Sequence, residues 1–300
     1  MPELLQRNMQ NPSNMDIFVL PGLFSNGNAC GILKTDTGRA NTMIFETHAH
    51  YDDEQYEEDR DRLLGSMQEN GISRIVNAGA SIETTEKGIR LAEKYPFVYA
   101  AAGVHPSETA QLDEDSFVRL KELAIHPKTV AVGEIGLDYY WDKEPDVQEK
   151  QRYWFRRQLE LAAQLGLPVI IHSRDASADT LAIMKEACDM HIPGVIHCFS
   201  YSVETALEYV SMGYYIGVGG VVTFKNAKKL KEAVEKIPLA NILLETDCPY
   251  MAPEPYRGKR NSSLYLPYIA AKIAEIKGMT QQEVIEATWN NACRMYRMDA

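Results

Sequence analysis

His48 and His50, in Thr47-His48-Ala49-His50, are separated by a single residue. On a β-strand, side chains two apart share a face and lie about 6.5–7 Å apart along the chain. Two imidazoles so placed can converge on one cation, although an isolated pair could equally be surface histidines. Three more histidines stand in defined settings: His105 in Gly103-Val104-His105-Pro106, His172 before Ser173-Arg174-Asp175, and His197 before Cys198. Two carboxylates end apolar runs, Glu134 in Val130-Ala131-Val132-Gly133-Glu134 and Asp247 in Leu243-Leu244-Glu245-Thr246-Asp247. Burying a carboxylate without a partner is costly. A bridging position between two cations would satisfy both oxygens of Glu134; a salt bridge to a basic residue such as Arg174 is the alternative. Asp247 could bind metal and accept a proton from bound water, or cap a turn before Pro249. Glu245 shares a strand face with Asp247 and could orient water or a metal-ligating histidine.

These residues need a framework that gathers them. From residue 43 onward, short β-branched segments at 43–47, 74–78, 98–103, 130–134, 168–172, 194–198, 214–218 and 241–246 alternate with amphipathic stretches. The stretches at 58–70, 83–94, 147–165, 178–189, 203–212 and 227–236 read as helices, and 263–277 and 280–296 as two more. Strand–helix alternation with such crossovers implies a parallel sheet, and eight repeats predict an α/β fold of the (β/α)8 TIM-barrel type. No GxGxxG sequence follows the first strand, which argues against a dinucleotide-binding sheet. On this framework five of the seven histidines fall at strand carboxyl ends, together with Glu134, Glu245 and Asp247. That is the face where barrel enzymes place their chemistry, so a metal site is expected there. His126 and His191 precede strands and are expected to cap or pack. Strand alternation points Cys198 outward, toward the helices, as a core residue.

Two loops carry further signals. Arg257-Gly258-Lys259-Arg260-Asn261 follows the eighth strand and could contact an anion such as phosphate, or lie solvated. Tyr139-Tyr140-Trp141, after the fourth strand, could stack on a base or pack as a lid. The chain has 300 residues, 45% hydrophobic and 24% charged, with a formal net charge of −11. That charge argues against an extended basic surface for gripping long duplex DNA, so ends or single strands suit it better. The five cysteines are widely spaced with no CxxC pair, consistent with a reducing, cytoplasmic setting. No apolar run approaches a membrane span, and 17–24 is too short and too poorly flanked for a signal peptide. Residues 1–42, rich in Asn and Gly, read as a poorly ordered extension before one catalytic domain at 43–300, with a small cap as the alternative.

The ordered motifs resemble those of the TatD family of metal-dependent deoxyribonucleases, within the amidohydrolase-like barrels. The matching segments are Thr47-His48-Ala49-His50 with Asp52, Gly103-Val104-His105-Pro106 and Gly133-Glu134-Ile135-Gly136-Leu137-Asp138. They continue with His172-Ser173-Arg174-Asp175-Ala176, His197-Cys198-Phe199-Ser200, Leu244-Glu245-Thr246-Asp247-Cys248-Pro249-Tyr250 and Arg257-Gly258-Lys259-Arg260-Asn261. The resemblance implies that His48, His50, Glu134 and Asp247 hold one divalent ion, and that Glu134, His172 and His197 hold a second. It also implies that His105 lies near the substrate, and that phosphodiester bonds of DNA are hydrolysed, often from the 3′ end. The chain departs from the family at Glu46, usually Asp, at Ser107, commonly a second histidine, and at Ser262-Ser263, usually Glu or Ala followed by Pro. None of these is a predicted ligand, so they bear on specificity.

The expected mechanism is a two-metal hydrolysis with ions about 3.5–4 Å apart. Asp247 and Glu134 would act at the centre, while His105, Arg257, Lys259, Arg260 and Asn261 would position the phosphate. Mixed imidazole and carboxylate ligation suits Zn or Mn, Mg preferring more oxygen ligands although the family uses it. The expected substrate is DNA, as single strands or ends, bound by a monomer with no membrane partner. Two alternatives remain: a metal-dependent esterase or amidohydrolase such as a D-aminoacyl-tRNA deacylase, and a non-catalytic metal-binding scaffold. Many amidohydrolases bridge their ions with a carboxylated lysine on the fourth strand; Glu134 there sets this chain apart from those.

Overall fold

A computed structural model describes residues 43–299, so the expected extension at 1–42 lies outside the described residues. Eight strands follow one another in chain order: β1 (Ile44–Ala49), β2 (Ile72–Ala78), β3 (Val98–Ala102), β4 (Thr129–Asp138), β5 (Val169–Arg174), β6 (Gly194–Ile196), β7 (Tyr215–Val218) and β8 (Ile242–Leu244). Every neighbouring pair from β1 to β8 is parallel. The sheet is nearly closed by contacts between β1 and the residues that follow β8. Ala49 and Cys248 form a parallel bridge, the Asp247 amide donates to His48 O at 3.0 Å, and the His50 amide donates to Cys248 O at 2.8 Å. The architecture is therefore the expected eight-stranded α/β barrel.

Around it lie α1 (Arg60–Gly65), α2 (Ile82–Lys94), α3 (Glu114–Ala124), α4 (Pro145–Leu165), α5 (Ser177–Glu186), α6 (Val203–Ser211), α7 (Lys228–Lys236), α8 (Leu266–Lys277) and α9 (Gln281–Tyr296). Their ends are set locally. Ser81 and Thr84 form a capping box for α2, Asp113 and Ser116 one for α3, and Thr280 and Glu283 one for α9. α4 opens on Pro145 and stops at Gly166, whose φ of 66° gives the left-handed cap that glycine tolerates best. Two expectations change. The stretch 58–70 is α-helical only over α1, which Ser66 caps; it goes on as a short 3-10 turn at Gln68–Asn70 that ends on Gly71 at φ 83°. α3 stands where no helix is expected, burying Phe117, Leu120, Leu123 and Ala124 on one face.

One interior residue comes from each strand: Phe45, Val76, Ala101, Ala131, Ile170, Val195, Tyr215 and Leu243. These pack against Trp289, Cys293, Met295 and Tyr296 of α9, which plugs the amino-terminal end of the barrel. The Phe45 ring lies 5.8 Å from Trp289 and 5.5 Å from Tyr296. With that end filled, only the carboxyl ends of the strands are open for polar residues. Replacing Phe45 with Ala should cost about 3–5 kcal/mol of stability, the usual loss for a buried aromatic side chain. Urea unfolding of the variant and the native chain measures it; a loss near zero would contradict a plug built on Phe45.

Candidate metal centre

Strict alternation alone would not bring His48 and Glu134 to the interior. Phe45 and Ala131 face the barrel axis, and a residue three positions further along a regular strand faces outward. Both strands shift register just where correction is needed, β1 between Glu46 and Ala49 and β4 between Val132 and Ile135. Such irregularities re-aim side chains, and here they turn His48, His50 and Glu134 into the mouth. Glu134 therefore lies within β4, which runs on to Asp138 beside β5, rather than ending the strand. Gly136, at φ 143°, allows this approach, since a Cβ there would lie 2.0 Å from His172 O.

The polar side chains meet around Glu134, which is only 3% exposed. Its Oε1 lies 2.7 Å from His172 Nδ1 and 2.7 Å from His197 Nε2, and 3.7 Å from His105 Nε2. Its Oε2 faces the other way, 3.3 Å from His48 Nε2 and 3.5 Å from His50 Nε2. Asp247 Oδ1 completes that side, 3.6 Å from His48 Nε2 and 3.4 Å from His50 Nε2. The two Nε2 atoms are 3.0 Å apart. No contact joins Glu134 to Arg174 among the described residues, so the salt-bridge alternative does not describe the site; Arg174 stacks on Tyr140 instead.

Arrangements this tight suit a cation better than they suit one another. Four donors about 3.4 Å apart are the corners of a tetrahedron whose centre lies about 2.0–2.1 Å from each, the distance of nitrogen and oxygen from zinc. The His48, His50, Glu134 and Asp247 separations bracket that value. Three triads could hold a metal: His48, Glu134 and His197; His48, His50 and Asp247, which shares His48 with the first; and His105, Asp138 and His172. His48 Nδ1, His197 Nδ1 and Glu245 Oε2 are buried with no hydrogen-bond partner. The donor set fits a divalent ion.

Electrostatics point the same way. Burial pushes His48 down to about 4 and His105 down to about 3. Burial also opposes charge on His50 and His197, but Asp247 and Glu134 outweigh it and hold these rings up at about 9 and about 10. Burial likewise disfavours the Glu134 anion, yet the encircling imidazoles hold its carboxyl well below the usual range. The pocket thus draws positive charge to the points between its carboxylates and rings, where a divalent ion would displace protons.

Supporting residues lie beneath the centre. Glu245 Oε1 is 3.8 Å from His197 Nδ1 and accepts the Cys198 amide. Burial pushes its carboxyl up to about 8. Gly217 makes room for it, because a Cβ at that position would lie 2.3 Å from Glu245 Oε2. Glu46 accepts from the His48 and Thr246 amides at 3.2 and 2.9 Å, tying β1 to the chain after β8. Asp138, which sequence reasoning gave no role, is 2% exposed and places Oδ2 3.2 Å from His172 Nε2. Its position four residues after Glu134, on the same face of β4, was the available signal. Cys198 departs from its expected place: β6 ends at Ile196, Cys198 takes φ 45°, and its Sγ lies 3.9 Å from Met251 Sδ in the loops rather than among the helices.

The expected phosphate contacts separate. His105 sits at the mouth, its ring edge-to-face with His172 at 4.3 Å. Arg257 and Lys259 are exposed, Arg257 over the Phe224 ring at 4.4 Å. Arg260 is paired with Asp59 at 2.6 Å and lies over Tyr56. Asn261 is fully buried and donates to Thr246 O at 2.9 Å and Tyr250 O at 2.6 Å, latching the loop. Asn261→Ala should therefore lose about 1–3 kcal/mol of stability from unpaired buried carbonyls, whereas Arg257→Ala should lose almost none. Chemical denaturation of the two variants checks this; equal midpoints would remove the latch.

Comparison with known proteins agrees with the fold. Residues 45–297 match the family model described as TatD related DNase. The chain is 44% identical over 257 residues to an uncharacterized metal-dependent hydrolase, YabD, of Bacillus subtilis, covering 86% of this chain and 100% of that one. It is 33% identical to a protein of Cronobacter sakazakii named 3'-5' ssDNA/RNA exonuclease TatD, covering 86% and 99%. The crystal structure of the TatD homologue YJJV from Escherichia coli superimposes with a TM-score of 0.79 at 32% identity, covering 85% and 98%. With a matching model over most of the chain and relatives above 30% identity along nearly their whole length, the chain belongs to the TatD family of metal-dependent hydrolases.

Proposed function

We propose that this hydrolase cleaves phosphodiester bonds of DNA, at ends or in single strands, using two divalent ions bridged by Glu134. The observation that carries the proposal is the division of Glu134, with Oε1 toward His172 and His197 and Oε2 toward His48 and His50. One ion would be held by His48, His50, Glu134 and Asp247, the other by Glu134, His172 and His197. When bound, the ions supply Lewis-acid activation of water and of the phosphoryl group, and zinc, manganese or magnesium could serve. A relative named as an ssDNA/RNA exonuclease supports the choice of bond and of strand. The net charge of −11 supports ends and single strands over long duplex.

The chain's own residues account for the remaining steps. Asp247, whose side chain is 13% exposed and sets Oδ1 3.4 Å from His50 Nε2, would accept the proton of the attacking water. His105 Nδ1 accepts the Ser107 amide at 3.2 Å, which leaves the proton on Nε2, the nitrogen directed toward the centre. Nε2–H then donates to a phosphate oxygen and holds it in place. That amide is main-chain, so the tautomer does not depend on the side chain at 107; the Ser107 hydroxyl lies 2.8 Å from the same Nδ1. Exposed Arg257 and Lys259 supply positive charge at the rim.

Single-stranded DNA should be hydrolysed by the native chain, with activity lost to a chelator and regained on adding divalent metal. Asp247→Asn should lower kcat by about 10²–10⁴, the usual contribution of a positioned proton acceptor. Timed digests of end-labelled oligonucleotides, run beside D-aminoacyl-tRNA, make the measurement. Turnover of the aminoacyl ester without the oligonucleotide, or full activity in chelator, would contradict the proposal.

A further inference from the structure

Three planar groups stand together just outside the centre and are used by nothing in the mechanism. Trp141 is 68% exposed and Tyr140 43% exposed. Their rings meet edge-to-face at 4.7 Å and 87°. The Arg174 guanidinium lies over the Tyr140 ring at 4.0 Å and within 5.6 Å of the Trp141 ring. Arg174 is exposed, and among the described residues it has no carboxylate partner, unlike Arg152, Arg156 and Arg157, each paired with an acid. The guanidinium is thus left with its N–H edge uncommitted to any carboxylate among the described residues.

The trio is built into the centre rather than appended to it. Asp138 Oδ1 accepts the Tyr140 amide at 2.9 Å and the Trp141 amide at 3.3 Å, while Oδ2 reaches His172 Nε2 at 3.2 Å. Gln151 anchors the same turn, accepting from the Asp138 amide at 3.0 Å and donating to Asp138 O at 3.2 Å. Tyr139, the third aromatic of the run, turns inward, donating to Asp179 and accepting from Arg152 at 2.7 and 2.9 Å. Tyr139 is thus spent on packing, while its two neighbours are left exposed. Arg174 ends β5 two residues after His172. One buried carboxylate therefore fixes both a face of the candidate centre and the rings beside it.

We infer that Trp141, Tyr140 and Arg174 form a stacking subsite for a nucleobase of the single strand being cut, next to the scissile phosphate. Exposed aromatic faces accept any base, and a guanidinium held by stacking keeps its N–H edge for phosphate oxygens. In a chain with a net charge of −11, base stacking adds a hold on the strand that the overall charge does not oppose. The subsite deepens the nuclease reading of the same centre and rests on it.

The test measures binding and cleavage separately. Fluorescence anisotropy gives the affinity of the full chain, in the presence of divalent metal, for a phosphorothioate oligodeoxythymidylate that resists cleavage. A second strand of equal length carries abasic residues, with the same charges and no bases. Trp141→Ala should weaken binding of the first strand by about 5- to 150-fold, the equivalent of one lost base stack, and leave the abasic strand unchanged. Trp141→Phe should restore most of the affinity. Arg174→Ala should weaken both strands. Equal binding of the oligodeoxythymidylate by native chain and Trp141→Ala, or an equal loss on both strands, overturns the subsite. Trp141-dependent binding of a strand whose unmodified form is never cut would uphold the subsite and remove the nuclease reading, so the two failures are distinct.

Discussion

A carboxylate shut inside a protein demands compensation, and the Glu134 side chain is the constraint around which this molecule is arranged. It is buried at the carboxyl end of a barrel, ringed by five imidazoles from five different positions in the chain. An isolated buried anion would cost several kcal/mol even after relaxation. Each oxygen instead faces its own set of ring nitrogens, and the rings are held so closely that protons alone are an awkward currency between them. Divalent cations would resolve the crowding, satisfying the carboxylates and the neutral imidazoles together.

The barrel supplies this arrangement through small departures from regularity. β1 and β4 each slip register by the step needed to turn His48, His50 and Glu134 inward. The barrel is also stitched shut at the same place, with the Asp247 amide bonded to His48 O, so closure of the sheet and assembly of the centre are one event. Glu46 and Glu245, both fully buried, brace the chain beneath the ligand rings. Asp138 braces the far side of His172 and, through its other oxygen, bonds an exposed turn. α9 fills the opposite end with aromatic side chains, which leaves the mouth as the place where polar groups can collect.

Much of this is legible in the residues. The eight strands can be read because β-branched runs alternate with amphipathic stretches, and the histidines betray the functional face because they fall at strand ends. The interior orientation of His48 and Glu134 is right for a reason that alternation does not contain: a period of two predicts the wrong face relative to Phe45 and Ala131, and only the register shifts repair it. Those shifts depend on neighbouring strands, so no local pattern announces them. α3 was visible in its Asp113 cap and its spacing of Phe117, Leu120 and Ala124, but follows a turn-rich segment that hides its start. The loop after β8 is ambiguous for a different cause. Arg257, Lys259, Arg260 and Asn261 have similar chemistry in sequence, and only their surroundings send Arg260 to Asp59 and Asn261 to backbone carbonyls.

The most direct test of the central constraint is metal stoichiometry, counted by elemental analysis on the native chain and on Glu134→Ala after equilibration with zinc and removal of loose ions. If one carboxylate serves both sides of the centre, the native chain should carry about two ions, the number a bridged hydrolytic site holds, and the variant should lose most of both. A Glu134→Ala chain that keeps the full complement would contradict the account at its root.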